Sequence, residues 1–427
     1  MSEKYKIDTV GVIGLGYVGL PLALALVKSG YDVIGVDIDE QRVNQLQNGS
    51  SYIGDISDAE VSRAIERGFE STTEYNDLRQ VDGVSICVPT PLRKSGQPDV
   101  SYVVDASERL TSILSEGCTV VLESTVYPSA TEEVIAEQFE ENGWEVGKDV
   151  FVAFSPERID PGNEQYGVQD IPKVVGGVTE PCGDHAVALY EPVFEEVVRV
   201  ASSSEAEFVK LLENTFRGVN IGLINELAVT ANSMNIDIWD AIDAAATKPF
   251  GYMPFYPGPG LGGHCIPIDP QYLSWKAKQH GLETRFIDLA DRINRQMPKH
   301  VVNEVTALLN KNGLPVLDSE ILILGAAYKA DVSDTRESPA IDIIDLLQER
   351  GANIKYHDPH VDKITTREWR LESIPLTTGL LQEQDCVIIV TNHSDIDLSI
   401  VVECSSLIFD TRNATGTFSE QSHIYRI

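Results

Sequence analysis

Apolar positions in the first 200 residues fall into short continuous runs separated by segments of helical period. The runs are Thr9–Ile13, Val33–Val36, Gly83–Val88, Thr119–Leu122 and Val150–Phe154. Strands that are apolar on both faces belong to a parallel sheet, and the amphipathic segments between them pack on its two sides. From about residue 203 the pattern changes. Ser204 and Glu207 have the spacing of a capping box, and Phe208, Leu211, Leu212, Phe216, Val219 and Leu223 then recur at helical intervals as far as Met234. At 1.5 Å per residue this predicts a single helix of roughly 45 Å, with the apolar stripe packed. Strand runs return at Glu320–Leu324, Asn353–Tyr356, Cys386–Val390 and Ser406–Phe409, with a crossover helix at Ala340–Gln348. The expected fold is α/β. Two doubly wound domains, residues 1–202 and 313–427, are joined by a central helical region, 203–312, that contains the long helix.

Charge narrows the function. The 427 residues include 66 acids and 33 bases, a formal charge of −33. Nucleic-acid binders and proteins that dock on anionic membranes need a positive face, so both classes are disfavoured. Self-repulsion on this scale weakens a compact state in dilute salt and is screened at high ionic strength. A halophilic protein is one expectation, and an ordinary acidic enzyme kept soluble by its charge is the other. The six cysteines, at 87, 118, 182, 265, 386 and 404, show no CxxC and no Cys/His ligand spacing. No metal and no disulfide framework is expected, and a reducing, cytoplasmic compartment fits best. Residues 9–27 carry no charge, yet Gly11, Gly14, Gly16, Gly19 and Pro21 break any signal helix there. No other run approaches the ~20 apolar residues of a membrane span.

Against this acidic background, a few segments carry chemistry. Gly14-x-Gly16-x-x-Gly19 follows a predicted strand and opens a helix, and Asp37 ends the next strand about 20 residues on. Gly14 permits the tight turn, Gly16 lets a pyrophosphate approach the backbone, and Gly19 lets helix pack on strand. Asp37 in this position accepts a ribose diol and repels a 2′-phosphate, which favours NAD over NADP. Arg42, one turn further, is expected on the pyrophosphate or on the surface.

A second segment, Pro257-Gly-Pro-Gly-Leu-Gly-Gly-His-Cys-Ile-Pro-Ile-Asp-Pro270, is a fixed irregular loop. Gly262 and Gly263 allow a ligand close to the backbone. Cys265 follows them, with His264 beside it and Asp269 four residues on. The thiol is a plausible nucleophile, although composition alone equally allows a buried, inert cysteine. On the long helix Lys210, Asn214 and Arg217 share the face opposite the apolar stripe, offering two cations and an amide to an anionic substrate, or simply a solvated face. Lys329, Arg336 and Arg412 add cations near predicted strand ends, where α/β sheets bind ligands. Tyr272-x-x-x-Lys276 has the spacing of short-chain dehydrogenases, but the glycine spacing here is different.

Together these motifs resemble the UDP-glucose/GDP-mannose dehydrogenase family over nearly the whole chain. The resemblance rests on GxGYVGLP at 14–21, Val88-Pro-Thr-Pro91, Glu123-Ser-Thr125, Ser155-Pro-Glu157, Lys210-x-x-x-Asn214, Gly262-Gly-His-Cys265 and Tyr328-Lys-x-Asp-x-x-Asp-Thr-Arg336, in this order. It implies two Rossmann-like domains, NAD as cofactor, a UDP-sugar substrate and a homodimer through the central helix. The implied reaction is a four-electron oxidation of the sugar C6 hydroxyl to a carboxylate. Cys265 would form the thiohemiacetal and thioester. Lys210 would stabilise the oxyanion or assist proton transfer, and Asn214 would donate to the same oxygen. Asp269, Thr125 and Glu157 would manage water and protons. Gly14, Gly16, Tyr17, Val18, Gly19, Asp37, Arg42, Thr90, Thr125 and Arg336 would contact NAD. Glu157, Arg158, Lys210, Asn214, Arg217, Tyr256, Gly262, Lys329 and Arg412 would contact the substrate.

Ile268 and Pro161 stand where the UDP-glucose branch usually has Lys and Glu. The segments Ser155-Pro-Glu-Arg158 and Phe255-Tyr-Pro-Gly-Pro-Gly-Leu-Gly-Gly-His264 are similar to the N-acetylhexosamine branch. That implies UDP-N-acetylglucosamine as the expected sugar, with UDP-N-acetylmannosamine and UDP-glucose as alternatives. The product would feed surface polysaccharide biosynthesis or protein glycosylation. A two-electron β-hydroxyacid dehydrogenase and a non-catalytic NAD or nucleotide-sugar binder are the remote competitors. Neither needs Cys265.

Overall fold

A computed structural model describes residues 6–54, 56–93, 95–158, 167–263, 265–418 and 421–427. His264 and Pro161 therefore lie outside the described residues. The chain divides into two compact units. One comprises Met1–Glu213 with Gln271–Leu282, the other Asn214–Pro270 with Glu283–Ile427. Among the described residues no helix is long and apolar enough to cross a membrane.

The first unit holds an eight-stranded sheet. Its strands are β1 (Thr9–Ile13), β2 (Asp32–Val36), β3 (Phe69–Thr72), β4 (Gly83–Ile86), β5 (Cys118–Leu122), β6 (Val150–Phe154), β7 (Lys173–Gly177) and β8 (Val197–Arg199). They lie in the order β3-β2-β1-β4-β5-β6-β7-β8. The first six are parallel and doubly wound about the β1–β4 junction. This junction is the switch point at which such sheets open a ligand crevice. The sheet is not wholly parallel, because β7 runs antiparallel to β6. The apolar runs become strands because Val10, Val12 and Val33 pack with Leu20, Leu22 and Leu26 of helix Gly19–Lys28 in one buried cluster.

The second unit carries β9 (Glu320–Leu324), β10 (Asn353–His357), a small hairpin of β11 (Lys363–Thr365) and β12 (Arg370–Glu372), then β13 (Cys386–Ile389), β14 (Ile408–Asp410) and β15 (Ile424–Arg426). The five main strands are all parallel, in the order β10-β9-β13-β14-β15. Helix Pro339–Glu349 begins with Pro339 after the Ser338 cap and buries Ile343, Ile344 and Leu347 against Ile321 and Ile323.

The long helix is one piece, Ser203–Ser233, of 31 residues. Its cap differs from the expectation. Ser202 Oγ accepts from the Glu205 N–H at 3.1 Å, and Glu205 accepts from the Ala201 N–H at 2.9 Å. Glu207 is instead fully buried and accepts from the N–H groups of Ser129 and Thr131 and from the Thr131 hydroxyl. Most of its apolar stripe also faces outward, against the expectation, although Leu211 of that stripe is buried and Arg217 of the polar face is exposed, as expected. Phe208, Leu212, Phe216, Leu223 and Leu227 are exposed, whereas Lys210, Leu211, Asn214 and Asn225 are buried. Periodicity fixes which residues share a face, not which face turns inward. Here the inner face carries Gly218 and Gly222, and a Cβ on Gly222 would lie 3.1 Å from the Ala290 backbone of helix Arg285–Lys311. Close backbone approach, rather than bulky side chains, defines this packing.

Candidate active site

In the first unit the glycine loop leaves β1 and enters helix Gly19–Lys28. Gly14 has φ of +87°, and a Cβ there would stand 2.6 Å from the Cys87 carbonyl oxygen. On Gly19 a Cβ would overlap the Gly14 carbonyl oxygen at 1.8 Å, while on Gly16 it would meet nothing within 4 Å. The first and third glycines therefore serve packing, and the second leaves an open face beside a helix N-terminus that no side chain caps. Open space and a positive helix end fit a pyrophosphate. Tyr17 is exposed and Val18 half-buried at the same turn.

Asp37 is buried at the end of β2. It accepts from the Leu15 and Asp39 N–H groups, both at 2.9 Å, and so joins the glycine loop to β2. A carboxylate offers about four acceptor positions, which leaves capacity for a ribose diol. The structure places Arg42 beside this carboxylate at 3.4 Å and over the Tyr52 ring, not on the glycine loop. Thr90 and Thr125 follow β4 and β5. The loops that carry them are tied by Ser124 Oγ donating to the Val88 carbonyl at 2.7 Å. Tyr272 is fully buried and donates to the Thr90 carbonyl at 2.6 Å, and Lys276 pairs with Glu133 at 2.5 Å. The Tyr-x-x-x-Lys spacing is therefore structural.

Glu157 follows β6 and is half-buried. Its backbone carbonyl accepts from Lys210 Nζ at 2.5 Å, and its carboxylate lies 3.7 Å from Lys173 Nζ. Lys173 is itself buried, 2.6 Å from Glu123, which also accepts from Tyr190. Burial lowers the Lys173 pKa, but the two carboxylates outweigh it and hold the ammonium above its ordinary value. Sequence reading missed this Glu123–Lys173–Tyr190 network, because its members are separated by whole strands. Arg158 is committed to a fork with Glu213 and to the Pro172 carbonyl at 2.7 Å.

In the second unit Cys265 is exposed, not buried. Its carbonyl accepts from the Asp269 N–H at 2.8 Å, which sets Asp269 at the start of helix Asp269–Gln279. The buried Asp269 carboxylate accepts from the Asn214 amide at 2.5 Å. Asn214, Asp269 and Cys265 are thus brought together. Gly262 and Gly263 do not open space for a ligand on their Cα faces. A Cβ on either would fall 2.7–2.8 Å from Tyr328 side-chain atoms, so these glycines press the cysteine loop onto the loop of Lys329. The Gly263 N–H donates to the Arg336 carbonyl at 3.0 Å, and the Arg336 side chain pairs with Asp334. Arg412, half-buried after β14, lies against Gly258 and donates to the Val390 carbonyl at 2.9 Å. Burial lowers its guanidinium to about 10. Lys329 is half-buried, Arg217 is exposed, and Tyr256 stacks on Trp239 with its hydroxyl on Asp243 at 3.0 Å.

One further device was missed in the sequence. Asn225 and Asn294 are buried and bonded to each other at 2.9 Å. Asn225 also accepts from the Gly258 N–H at 2.9 Å, and Asn294 donates to the Gly218 carbonyl at 3.2 Å. This pair fixes the entry of the cysteine loop to two helices. Two lone asparagines give no spacing signal.

Residues 8–194 match the NAD binding domain of the UDP-glucose/GDP-mannose dehydrogenase family, 204–296 its central domain and 322–417 its UDP binding domain. The chain is 35% identical over 426 residues to a UDP-N-acetyl-D-mannosamine dehydrogenase of Methanococcus maripaludis, covering 96% of this chain and 93% of that protein. It is 36% identical over 391 residues to a UDP-N-acetyl-D-glucosamine 6-dehydrogenase of Pseudomonas aeruginosa, covering 90% of each. A solved structure of a UDP-D-ManNAc dehydrogenase from Pyrococcus horikoshii is similar at a TM-score of 0.87 and 31% identity, covering 95% of this chain and 96% of that one. A glycine loop built for a dinucleotide, a largely parallel sheet in each unit and three family domains matched in order lead to one assignment: the chain belongs to the UDP-glucose/GDP-mannose dehydrogenase family, as an NAD-dependent enzyme.

Proposed function

We propose that this enzyme oxidises the C6 hydroxyl of a UDP-N-acetylhexosamine to the carboxylate in two steps, through a thioester on Cys265. The observation that carries the reading is an exposed thiol on a loop whose next turn is locked by Asp269 and Asn214. Bound NAD supplies the hydride acceptor for each step. The Cys265 sulfur adds to the C6 aldehyde, its proton passing to the aldehyde oxygen, to give a thiohemiacetal. Loss of hydride and of that hydroxyl proton leaves the thioester, and water then releases the acid and regenerates the thiol. Lys210 and the second Asn214 N–H stabilise charge on the C6 oxygen. Asp269, Thr125 and Glu157 hold the water, whose proton passes to one of the two carboxylates. Asp37 accepts the ribose diol and the Gly16 face receives the pyrophosphate, while Lys329 and Arg412 hold the UDP-sugar.

UDP-N-acetylglucosamine is the first sugar proposed. UDP-N-acetylmannosamine is the second reading, supported by the relative of that name that aligns with 96% of this chain. The three-part division at 203 and 313, a cytoplasmic location, a role in polysaccharide biosynthesis and a homodimer through the exposed stripe of the long helix belong to the same proposal. Cys265→Ser tests the mechanism. Acid formation should fall by roughly a thousandfold or more, the scale of losing a covalent nucleophile, while NAD binding measured by fluorescence is kept. Undiminished acid production by the variant would sink the thioester route.

A further inference from the structure

Three loops at the carboxyl ends of the adjacent parallel strands β10, β9 and β13 converge on one group of side chains. Asp331 follows β9, His360 follows β10 and His393 follows β13. One ligand atom of each lies within 4.8 Å of the other two. Asp331 Oδ1 is 3.8 Å from both His393 Nδ1 and His360 Nε2, and Asp395 Oδ2 is 3.5 Å from His360 Nε2. Ligand atoms of a tetrahedral site with bonds of about 2.0–2.1 Å stand roughly 3.3–3.4 Å apart. These three separations need close by only a few tenths of an ångström, and the two imidazole nitrogens, within 4.8 Å of each other, by up to about 1.5 Å.

The second shell is already built. His393 is buried, and its Nε2 lies 3.0 Å from Asp358. Asp358 is fixed in turn by the N–H groups of Ala326, Ala327, His360 and Val361. With Nε2 against the Asp358 carboxylate, the ring presents Nδ1 to the loop of Asp331. Metal-ligating histidines are commonly oriented in this way. Nδ1 accepts from the Asp331 N–H at 3.0 Å. His360 Nε2 is shielded from solvent and makes no hydrogen bond.

We propose that Asp331, His360 and His393, with Asp395 as fourth ligand, bind a divalent transition cation of the zinc type that pins together the loops after β9, β10 and β13. Two imidazoles with carboxylates suit zinc-like ions, whereas magnesium and calcium prefer oxygen alone. Coordination at His393 Nδ1 replaces the hydrogen bond that it now accepts from the Asp331 N–H, and coordination at Asp331 Oδ1 displaces the Ser394 hydroxyl that now donates to it at 3.1 Å beside the Ser394 N–H. Lys329 lies two residues before Asp331, so occupancy stiffens the loop that carries it. The ligands come from three loops separated by whole strand–helix units, which is why no local spacing in the sequence announces them.

The test is a Co²⁺ titration of metal-stripped, full-length protein carrying Cys265→Ser, so that the exposed thiol takes no metal. The proposal predicts one Co²⁺ per chain, a visible band of four-coordinate cobalt, displacement by Zn²⁺ and a rise in Tm on binding. His360→Ala in the same background should weaken binding by about tenfold or more and abolish the rise in Tm. Asp395→Asn, at a more exposed position, should weaken binding without altering the fold. Absence of stoichiometric binding, or binding unchanged by both substitutions, overturns the proposal.

Discussion

At the scale of residues, the chain places its most costly groups under β5, β7 and the start of the long helix. Lys173 and Glu123 are buried together at 2.6 Å. Removing one member of such a pair strands the other charge, at a cost of about 3–5 kcal/mol. Lys173→Met should therefore lose stability on that scale in urea unfolding, and a loss below about 1 kcal/mol would show that the pair is not ionised. Glu207 behaves differently. Burial raises its carboxyl from 4.5 to about 7 against the pull of its three hydrogen-bond donors. Between those values the folded chain keeps a proton that the unfolded chain has lost. Its contribution to stability is present below pH 4.5 and is lost as the pH rises through about 7. Glu207→Gln cannot titrate. Calorimetry should thus find the stability of the parent, relative to this variant, lower at pH 8 than at pH 5, and an equal difference at both would contradict the assignment.

At the scale of elements, the parallel strands were legible because they are apolar on both faces. β3, β7, β8, β15 and the hairpin of β11 and β12 were not. β3 carries Glu70, β8 is three residues long and partly exposed, and β7 begins with a lysine whose burial depends on Glu123, 50 residues away. The candidate residues were legible as motifs, but what they touch was not. Gly262 and Gly263 read as room for a ligand and prove to be room for Tyr328. The apolar stripe of the long helix was placed inward in the sequence and mostly faces outward, because Gly218, Gly222 and the Asn225–Asn294 pair set the contact rather than the larger side chains. Its exposed row, with Phe208 43%, Leu212 54% and Phe216 48% accessible, is apolar surface in need of a cover. A second copy of the chain is the proposed cover. Sedimentation should give twice the chain mass for the parent and a single chain for Leu212→Glu with Phe216→Glu. A parent that sediments as one chain would remove the dimer.

At the scale of the whole molecule, charge and chemistry meet. A formal charge of −33 belongs to a protein whose Lys210, Lys329 and Arg412 are proposed to meet an anionic sugar nucleotide. Salt screens the self-repulsion, so turnover should be faster and the fold firmer in molar salt than in dilute buffer. The four-electron route fixes a stoichiometry that absorbance can read. With excess NAD and limiting UDP-N-acetylglucosamine in molar salt, absorbance should report two NADH per sugar consumed, and UDP-N-acetylmannosamine in parallel reads out the C2 preference. One NADH per sugar, with the product left at the aldehyde level or as a ketone, would contradict a four-electron oxidation.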